Sequence, residues 1–261
     1  MARGLLVRFR IAAAFAWGLA AALAIDAWIR FWILPRTRHD AAAKSAAINR
    51  IVKVWADVMF GAARWSAGLE VAVEGRIPET GRYLVVANHQ SSLDVPLLIA
   101  TLRGQNLKFV SMERLRRGRP AISLMIRHGG FVCVGKQDVG KDLDALRLFA
   151  KQVSRFDGSP VIFPAGGLER DHGQRPFLVA GIEAVRRASR LPILPVVIEG
   201  LSSAPTIGGL VRLAGAKVTM RVFEPVSFEA ASRDPRGTYA RLESDIYQDL
   251  ATLRGDGTKL T

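Results

Sequence analysis

A histidine and an aspartate five positions apart, His89 and Asp94, close the apolar run Val85-Val86-Ala87 and precede another that opens at Val95 and Pro96. A neutral imidazole can take the proton of a substrate hydroxyl, an effect worth about 10²–10⁴ in rate. A carboxylate bonded to its other nitrogen fixes the tautomer and stabilises the imidazolium that forms. Asp94 also has a plainer role open to it, as the cap of a helix with Pro96 in its first turn. On spacing alone the cap is the simpler reading, with His89 a hydrogen-bonded turn residue. A second candidate lies at Val161-Ile162-Phe163-Pro164-Ala165-Gly166-Gly167-Leu168, where proline and two glycines allow close backbone approach and turn amides toward an anion. An ordinary turn fits the same residues. A third, Leu194-Pro195-Val196-Val197-Ile198-Glu199-Gly200, is a buried run closed by glycine. No G-x-S-x-G elbow, P-loop or zinc spacing competes with these. The single cysteine, Cys133, forbids an internal disulfide and suits a reducing compartment.

These segments need elements to hold them. β-branched runs predict strands over Leu69–Val73, Tyr83–Ala87, Lys108–Ser111, Phe131–Val134, Pro160–Phe163, Ile193–Ile198 and Val218–Phe223. Between them, helices are expected over Val95–Leu102, Pro120–Arg127, Lys141–Phe156, Phe177–Ser189 and Arg236–Leu253. The alternation indicates an α/β fold, a mostly parallel central sheet flanked by helices. In such sheets the chemistry gathers where strand ends meet loops.

The chain has 261 residues, enough for one large domain or a domain with a helical appendage. Ile11 to Leu34 is apolar apart from Gly18, Asp26 and Arg30, and as a helix it would be about 36 Å long, enough to cross a bilayer. Asp26 and Arg30 stand four apart and can pair on one face. Trp28, Phe31 and Trp32, with Arg36 and Arg38 beyond, read as an interfacial anchor. A signal peptide is also open, since Arg3, Arg8 and Arg10 precede the run and Ala22-Leu23-Ala24 resembles a cleavage site; so is an ordinary buried or surface helix. Asp40 to about Gly68 carries a second helical stripe: Ile48, Ile51, Val52, Trp55, Val58, Met59, Ala62. Residues 1–67 are therefore read as a membrane-associated helical segment and 68–261 as the catalytic domain.

Charge narrows the partner. The excess is +14, and an anionic partner is implied. Between Thr101 and Lys141 stand nine basic residues, Arg103, Lys108, Arg114, Arg116, Arg117, Arg119, Arg127, Lys136 and Lys141, against Glu113 and Asp138. The run is expected to meet anionic headgroups, the phosphates of CoA or an acidic carrier protein. No recognition helix or stacking platform for nucleic acid is present.

In order and spacing, the blocks resemble the glycerolipid acyltransferase superfamily, which contains 1-acyl-sn-glycerol-3-phosphate acyltransferase. Its first block, N-H-x-S-x-x-D, is met by Asn88, His89, Ser91 or its neighbour Ser92, and Asp94; its third, F-P-E-G-T-R, by Phe163, Pro164 and Gly166; its V-P-V-type strand by Leu194 to Val197. The resemblance implies that His89, oriented by Asp94, deprotonates a lysolipid hydroxyl, which attacks the thioester of acyl-CoA or acyl-carrier protein as co-substrate. It implies no acyl-enzyme, metal or other cofactor, and leaves Cys133 to strand packing. Asn88, Ser91, Lys136, Phe163, Pro164, Gly166, Gly167 and Arg170 become substrate-binding candidates, and amides near the first helix or the glycine turn become oxyanion donors. The implied place is a membrane, the inner membrane in a bacterium, with the domain facing the cytoplasm. Three departures stand out: Ala165 for the family's glutamate, Gly167 for its threonine and Leu168 for its arginine. They point to an acceptor other than lysophosphatidic acid, such as an aminolipid or glycolipid precursor. They also leave open a non-catalytic lipid-binding relative, and a membrane-surface adaptor for nucleic acid is a third reading.

Overall fold

The computed structural model describes residues 2–135, 138–155, 157–168 and 174–255. Helix α1 (Ala2–Trp28) runs through a π-helical turn, Ile29–Ile33, into the short α2 (Leu34–Arg36). Alanine and leucine dominate α1, and both are strong helix formers. Pro35 supplies no amide to the turn before it, and the widened turn sits there. Helix α3 (Ala41–Ala67) starts at Asp40, whose carboxylate accepts from the Ala43 amide at 2.8 Å, and stops at Gly68, left-handed at φ 67°.

The remainder alternates as expected: β1 (Glu70–Gly75), β2 (Leu84–Ala87), α4 (Asp94–Thr101), β3 (Leu107–Met112), α5 (Ile122–His128), β4 (Val132–Val134), α6 (Val139–Arg155), β5 (Ser159–Ile162), α7 (Val179–Ser189), β6 (Ile193–Glu199), β7 (Lys217–Val222), α8 (Phe228–Arg233) and α9 (Pro235–Leu253). The strands form one sheet in the order β1-β7-β6-β2-β5-β3-β4. Every neighbouring pair is parallel except β6 and β7. Helix α8 has no counterpart in the sequence reading; six residues are too few to show a 3.6-residue period, and only its cap, Ser227 accepting from Ala230, marks it.

Side chains of each strand alternate between two layers. Val85 and Ala87 face α3, α4 and α5, whereas Leu84 and Val86 face α6, α7 and α9. Both cores are aliphatic, and each fully buried Leu or Ile contributes about 1.5–3 kcal/mol. Ile11 and Ile29 of the N-terminal helix lie in the first core with Val85 and Leu97. Asp26 pairs with Arg30 and also accepts from the Ala121 amide at 3.0 Å. One hydrophobic core thus continues across the junction at residues 67 and 68.

Candidate active site

Because β2, β5, β3 and β4 run parallel, their C-terminal ends share one edge of the sheet. β2 delivers His89 to that edge and β5 delivers Phe163. The turn between β2 and α4 is short and folds back on itself, so His89 meets the first residue of α4. Nδ1 of His89 stands 2.8 Å from Oδ2 of Asp94. The same oxygen accepts from the backbone amides of Gln90 at 2.6 Å and Ser91 at 2.8 Å. Asp94 is fully buried, while 14% of the His89 side chain reaches solvent.

This corrects the capping reading. The carboxylate turns back to the residues before it, and no side chain caps α4. Two backbone amides already donate to this carboxylate oxygen, and a proton-bearing Nδ1 completes the set of donors around it. Nε2 is then the nitrogen with a free lone pair, which is the tautomer a general base requires. Oδ1 of Asp94 is buried without a hydrogen-bond partner.

The turn is fastened to the end of β6 and the loop after it almost residue by residue. Asn88 donates to the Ile198 carbonyl and accepts from its amide, both at 2.8 Å. Gln90 donates to Glu199 at 2.6 Å and accepts from the Leu201 amide at 3.4 Å. Ser91 donates to the Ala204 carbonyl at 2.5 Å, and Ser92 to that of Pro205 at 3.1 Å. Glu199 also accepts from Arg254, beyond α9, at 2.9 Å. Gly200 lets the strand leave: at φ 99°, a Cβ there would meet the Lys217 carbonyl oxygen at 2.1 Å.

Two expected substrate contacts therefore change role. Asn88 and Ser91 are fully buried and bonded to backbone, so neither presents a polar atom to a ligand. Phe163 lies against the imidazole, ring centroids 4.0 Å apart and planes inclined by 13°. Behind it the stack continues to Phe109 at 6.1 Å and from there to Phe131 at 6.2 Å. Pro164 is buried and its carbonyl accepts from Leu178 at 2.9 Å. Gly166, left-handed at φ 71°, closes the turn by donating to the Phe163 carbonyl at 3.0 Å. The amides of Gln90, Ser91 and Gly166 are thus already engaged and do not stand ready as oxyanion donors. Gly166, Gly167 and Leu168 are half-buried, and Ala165 is buried. Lys136, Glu169 and Arg170 lie outside the described residues.

The basic run divides. Lys108 belongs to the interior, not the surface: its ammonium donates to Asn49 and to the Gly129 carbonyl and sits over Phe131. Burial, helped by Lys53, brings its pKa down to about 7. Arg103 pairs with Asp57 at 2.5 Å, whereas Arg114, Arg117 and Arg119 are exposed. On β4, burial pushes the Cys133 thiol up to about 11, so it stays protonated at neutral pH.

The sequence gives no role to Gln90, Glu199, Arg254 or Phe109, although Glu199 lies in the third candidate run. The hydrogen-bond partners that join Gln90, Glu199 and Arg254 across the site stand 55 to 111 positions away, and the one local sign is the acidic residue that ends a buried strand.

Known proteins resemble this chain in sequence and in fold. The family described as Acyltransferase matches residues 69–199. The 1-acyl-sn-glycerol-3-phosphate acyltransferase alpha of Mus musculus is 24% identical over 174 residues, covering 66% of this chain and 60% of that protein. The 1-acyl-sn-glycerol-3-phosphate acyltransferase of Cocos nucifera is 21% identical over 185 residues, 71% of this chain and 59% of its own. The chain therefore matches about three fifths of the length of these relatives. The crystal structure of the 1-acyl-sn-glycerophosphate acyltransferase PlsC from Thermotoga maritima superposes with a TM-score of 0.66 at 21% identity, over 97% of this chain and 96% of that one, and so has the same fold.

Proposed function

The chain belongs to the acyltransferase family, and on that premise we propose that it is a membrane-bound O-acyltransferase. It moves a fatty acyl group from acyl-CoA or acyl-carrier protein to the hydroxyl of a lysolipid related to 1-acylglycerol-3-phosphate, in membrane lipid synthesis. The observation that carries this reading is the 2.8 Å contact between His89 Nδ1 and a buried Asp94 that two amides hold in place.

In this mechanism Nε2 of His89 takes the acceptor's hydroxyl proton as the oxygen attacks the thioester carbonyl carbon. Asp94 stabilises the imidazolium so formed. The tetrahedral intermediate expels the thiolate, which takes the proton from Nε2 and leaves as a thiol while the new ester departs. The donor is a co-substrate, and neither a metal nor a further cofactor takes part. Phe163 shields one face of the imidazole and its ring face favours the cation. The glycine turn beside it is the place for the acceptor, with Lys136 and Arg170 as candidate headgroup contacts. Ala165 favours an acceptor whose headgroup is not a phosphate monoester, because the family's carboxylate and arginine are both replaced there.

Surface chemistry supports a membrane location. Leu5, Phe9, Trp17, Leu19 and Leu23 of α1 and Val54 and Trp65 of α3 are each more than half exposed. The segment Leu5–Arg36 is long and apolar enough to cross a membrane. We place residues 1–67 at the bilayer and the sheet on its cytoplasmic side.

A labelled acyl donor with a panel of lysolipids tests the proposal on the purified chain. Transfer is expected with at least one acceptor, weak transfer with lysophosphatidic acid, and none from His89→Ala at unchanged melting temperature. Wild-type turnover by that variant would sink the mechanism, and vigorous use of lysophosphatidic acid would sink the acceptor assignment.

A further inference from the structure

Helix α9 reaches the turn that carries His89 from the far side of the sheet. Glu199 ends β6 two residues after Val197, so its side chain leaves the sheet on the face that packs against α6, α7 and α9. There Oε2 accepts from the Gln90 side-chain amide at 2.6 Å and from the Arg254 guanidinium at 2.9 Å. The side chains of Glu199 and Arg254 are only 13% and 11% exposed. The His89 imidazole lies against Phe163, which packs in the opposite layer. Glu199 is thus across the sheet from the proton transfer, and its route to His89 runs through Gln90.

Gln90 joins the two sides. It is fully buried, and its backbone amide donates to the Asp94 oxygen that also faces His89 Nδ1. The contacts Arg254–Glu199–Gln90–Asp94–His89 form an unbroken chain from the end of α9 to the base. Arg254 is the first residue beyond α9, and its amide still donates to the Leu250 carbonyl at 3.1 Å, as in a continuing helix. The same helix has a second arm. Tyr247 donates to the Arg175 carbonyl at 2.5 Å, and Glu243 accepts from the Phe177 amide at 3.3 Å. The next amide, that of Leu178, donates to the Pro164 carbonyl beside Phe163. One helix therefore holds both the turn that bears His89 and the turn that bears the ring stacked on it.

We propose that Glu199, held by Arg254, is a positioning residue for the transfer reaction: through Gln90 it keeps Asp94 and His89 in reacting geometry, with α9 as the brace. A largely buried ion pair adds little net stability, because desolvation offsets the attraction, whereas it does fix the direction of the groups it touches. Gln90 is such a group, and its amide is one of the two that orient Asp94. The proposal rests on the reading of His89 as the base.

Acyl transfer by the full chain, measured well below each variant's melting temperature, tests it. A misplacement of about 1 Å can cost about a hundredfold, so a partly loosened turn in Glu199→Gln is expected to lower kcat about tenfold. KM should stay within about twofold, because no substrate contact is removed. Arg254→Gln should lose a similar factor, and Arg254→Lys, which keeps a cation facing Glu199, should recover most of it. Because Glu199 acts through Gln90, adding Glu199→Gln to Gln90→Met should cost nothing beyond Gln90→Met alone. If the Gln90 variant does not fold, Arg254→Gln combined with Glu199→Gln gives the same comparison. Arg241→Gln, which removes the exposed partner of Asp234 at the start of α9, serves as the control and should react as wild type. A second readout needs no turnover: the low-field proton on His89 Nδ1, identified by its loss in His89→Ala, should exchange with water faster in Glu199→Gln. That signal still tests the brace if His89→Ala keeps its activity and the catalytic reading fails. Wild-type kcat and proton exchange in Glu199→Gln overturn the proposal, as do additive losses with Gln90→Met or an equal loss in the control. A rise in KM at constant kcat also overturns it, by assigning Glu199 to substrate binding.

Discussion

His89 and Lys108 stand at opposite ends of one aromatic stack, with Phe163, Phe109 and Phe131 between them. Both are basic side chains in an apolar wall, yet their surroundings suit opposite tasks. His89 has a buried carboxylate at 2.8 Å and one edge open to solvent. Lys108 is 3% exposed and meets only neutral acceptors, Asn49 and a backbone carbonyl. A base that must gain and lose a proton needs a counter-charge for its cation and a path for the substrate. A lysine without either is better neutral, and burial moves it that way. The difference separates a reactive group from a strut that ties α3 to the α5–β4 turn.

Removing the counter-charge should make the histidine end resemble the lysine end. Asp94→Asn is expected to lower kcat by about 10²–10⁴, since the amide no longer stabilises the imidazolium or fixes Nδ1 as the donor. Single-turnover transfer measures this, and a loss under tenfold would dissolve the contrast. At the other end, the Lys108 pKa of about 7 lies below its unfolded value of 10.5. The unfolded chain then binds more protons between these values, so folding stability rises from pH 7 toward pH 10. Below pH 7 the charged lysine weakens the fold. Lys108→Met should flatten that slope in denaturant titrations and leave kcat unchanged; a slope that persists would mean that the ammonium is not the group titrating. The smallest effect concerns the ring they share most closely with the chemistry. Phe163→Leu should cost about two- to tenfold in kcat with KM nearly constant, and Phe163→Tyr should restore it.

Much of this was legible in one dimension. All seven strands fall within two residues of their expected ends, because β-branched runs bounded by turns carry their own signal. Helices α3, α6, α7 and α9 follow their apolar period in the same way, whereas α8 is too short to show one. At the site, His89 and Asp94 were visible as a pair, but spacing alone favoured a cap. A carboxylate at a helix start can turn forward or back, and only the folded turn shows that it bonds the amides of Gln90 and Ser91 behind it. Asn88 and Ser91 match a motif whose family members imply ligand contacts; their burial and hydrogen bonds instead bolt the turn to the end of β6 and the loop after it.

Residue pattern by itself determined the α/β class, the strand ends that hold the chemistry, and the apolar and basic surfaces that point to lipid. Those features depend on neighbours within a few positions, where periodicity, turn chemistry and charge act directly. Tertiary structure alone decided which way the Asp94 carboxylate faces, that β7 returns antiparallel beside β6, and that Lys108 is interior while Arg114, Arg117 and Arg119 are not. Each of these turns on groups brought together from distant parts of the chain. Burial and hydrogen-bond partnership belong to the packed molecule and have no local trace.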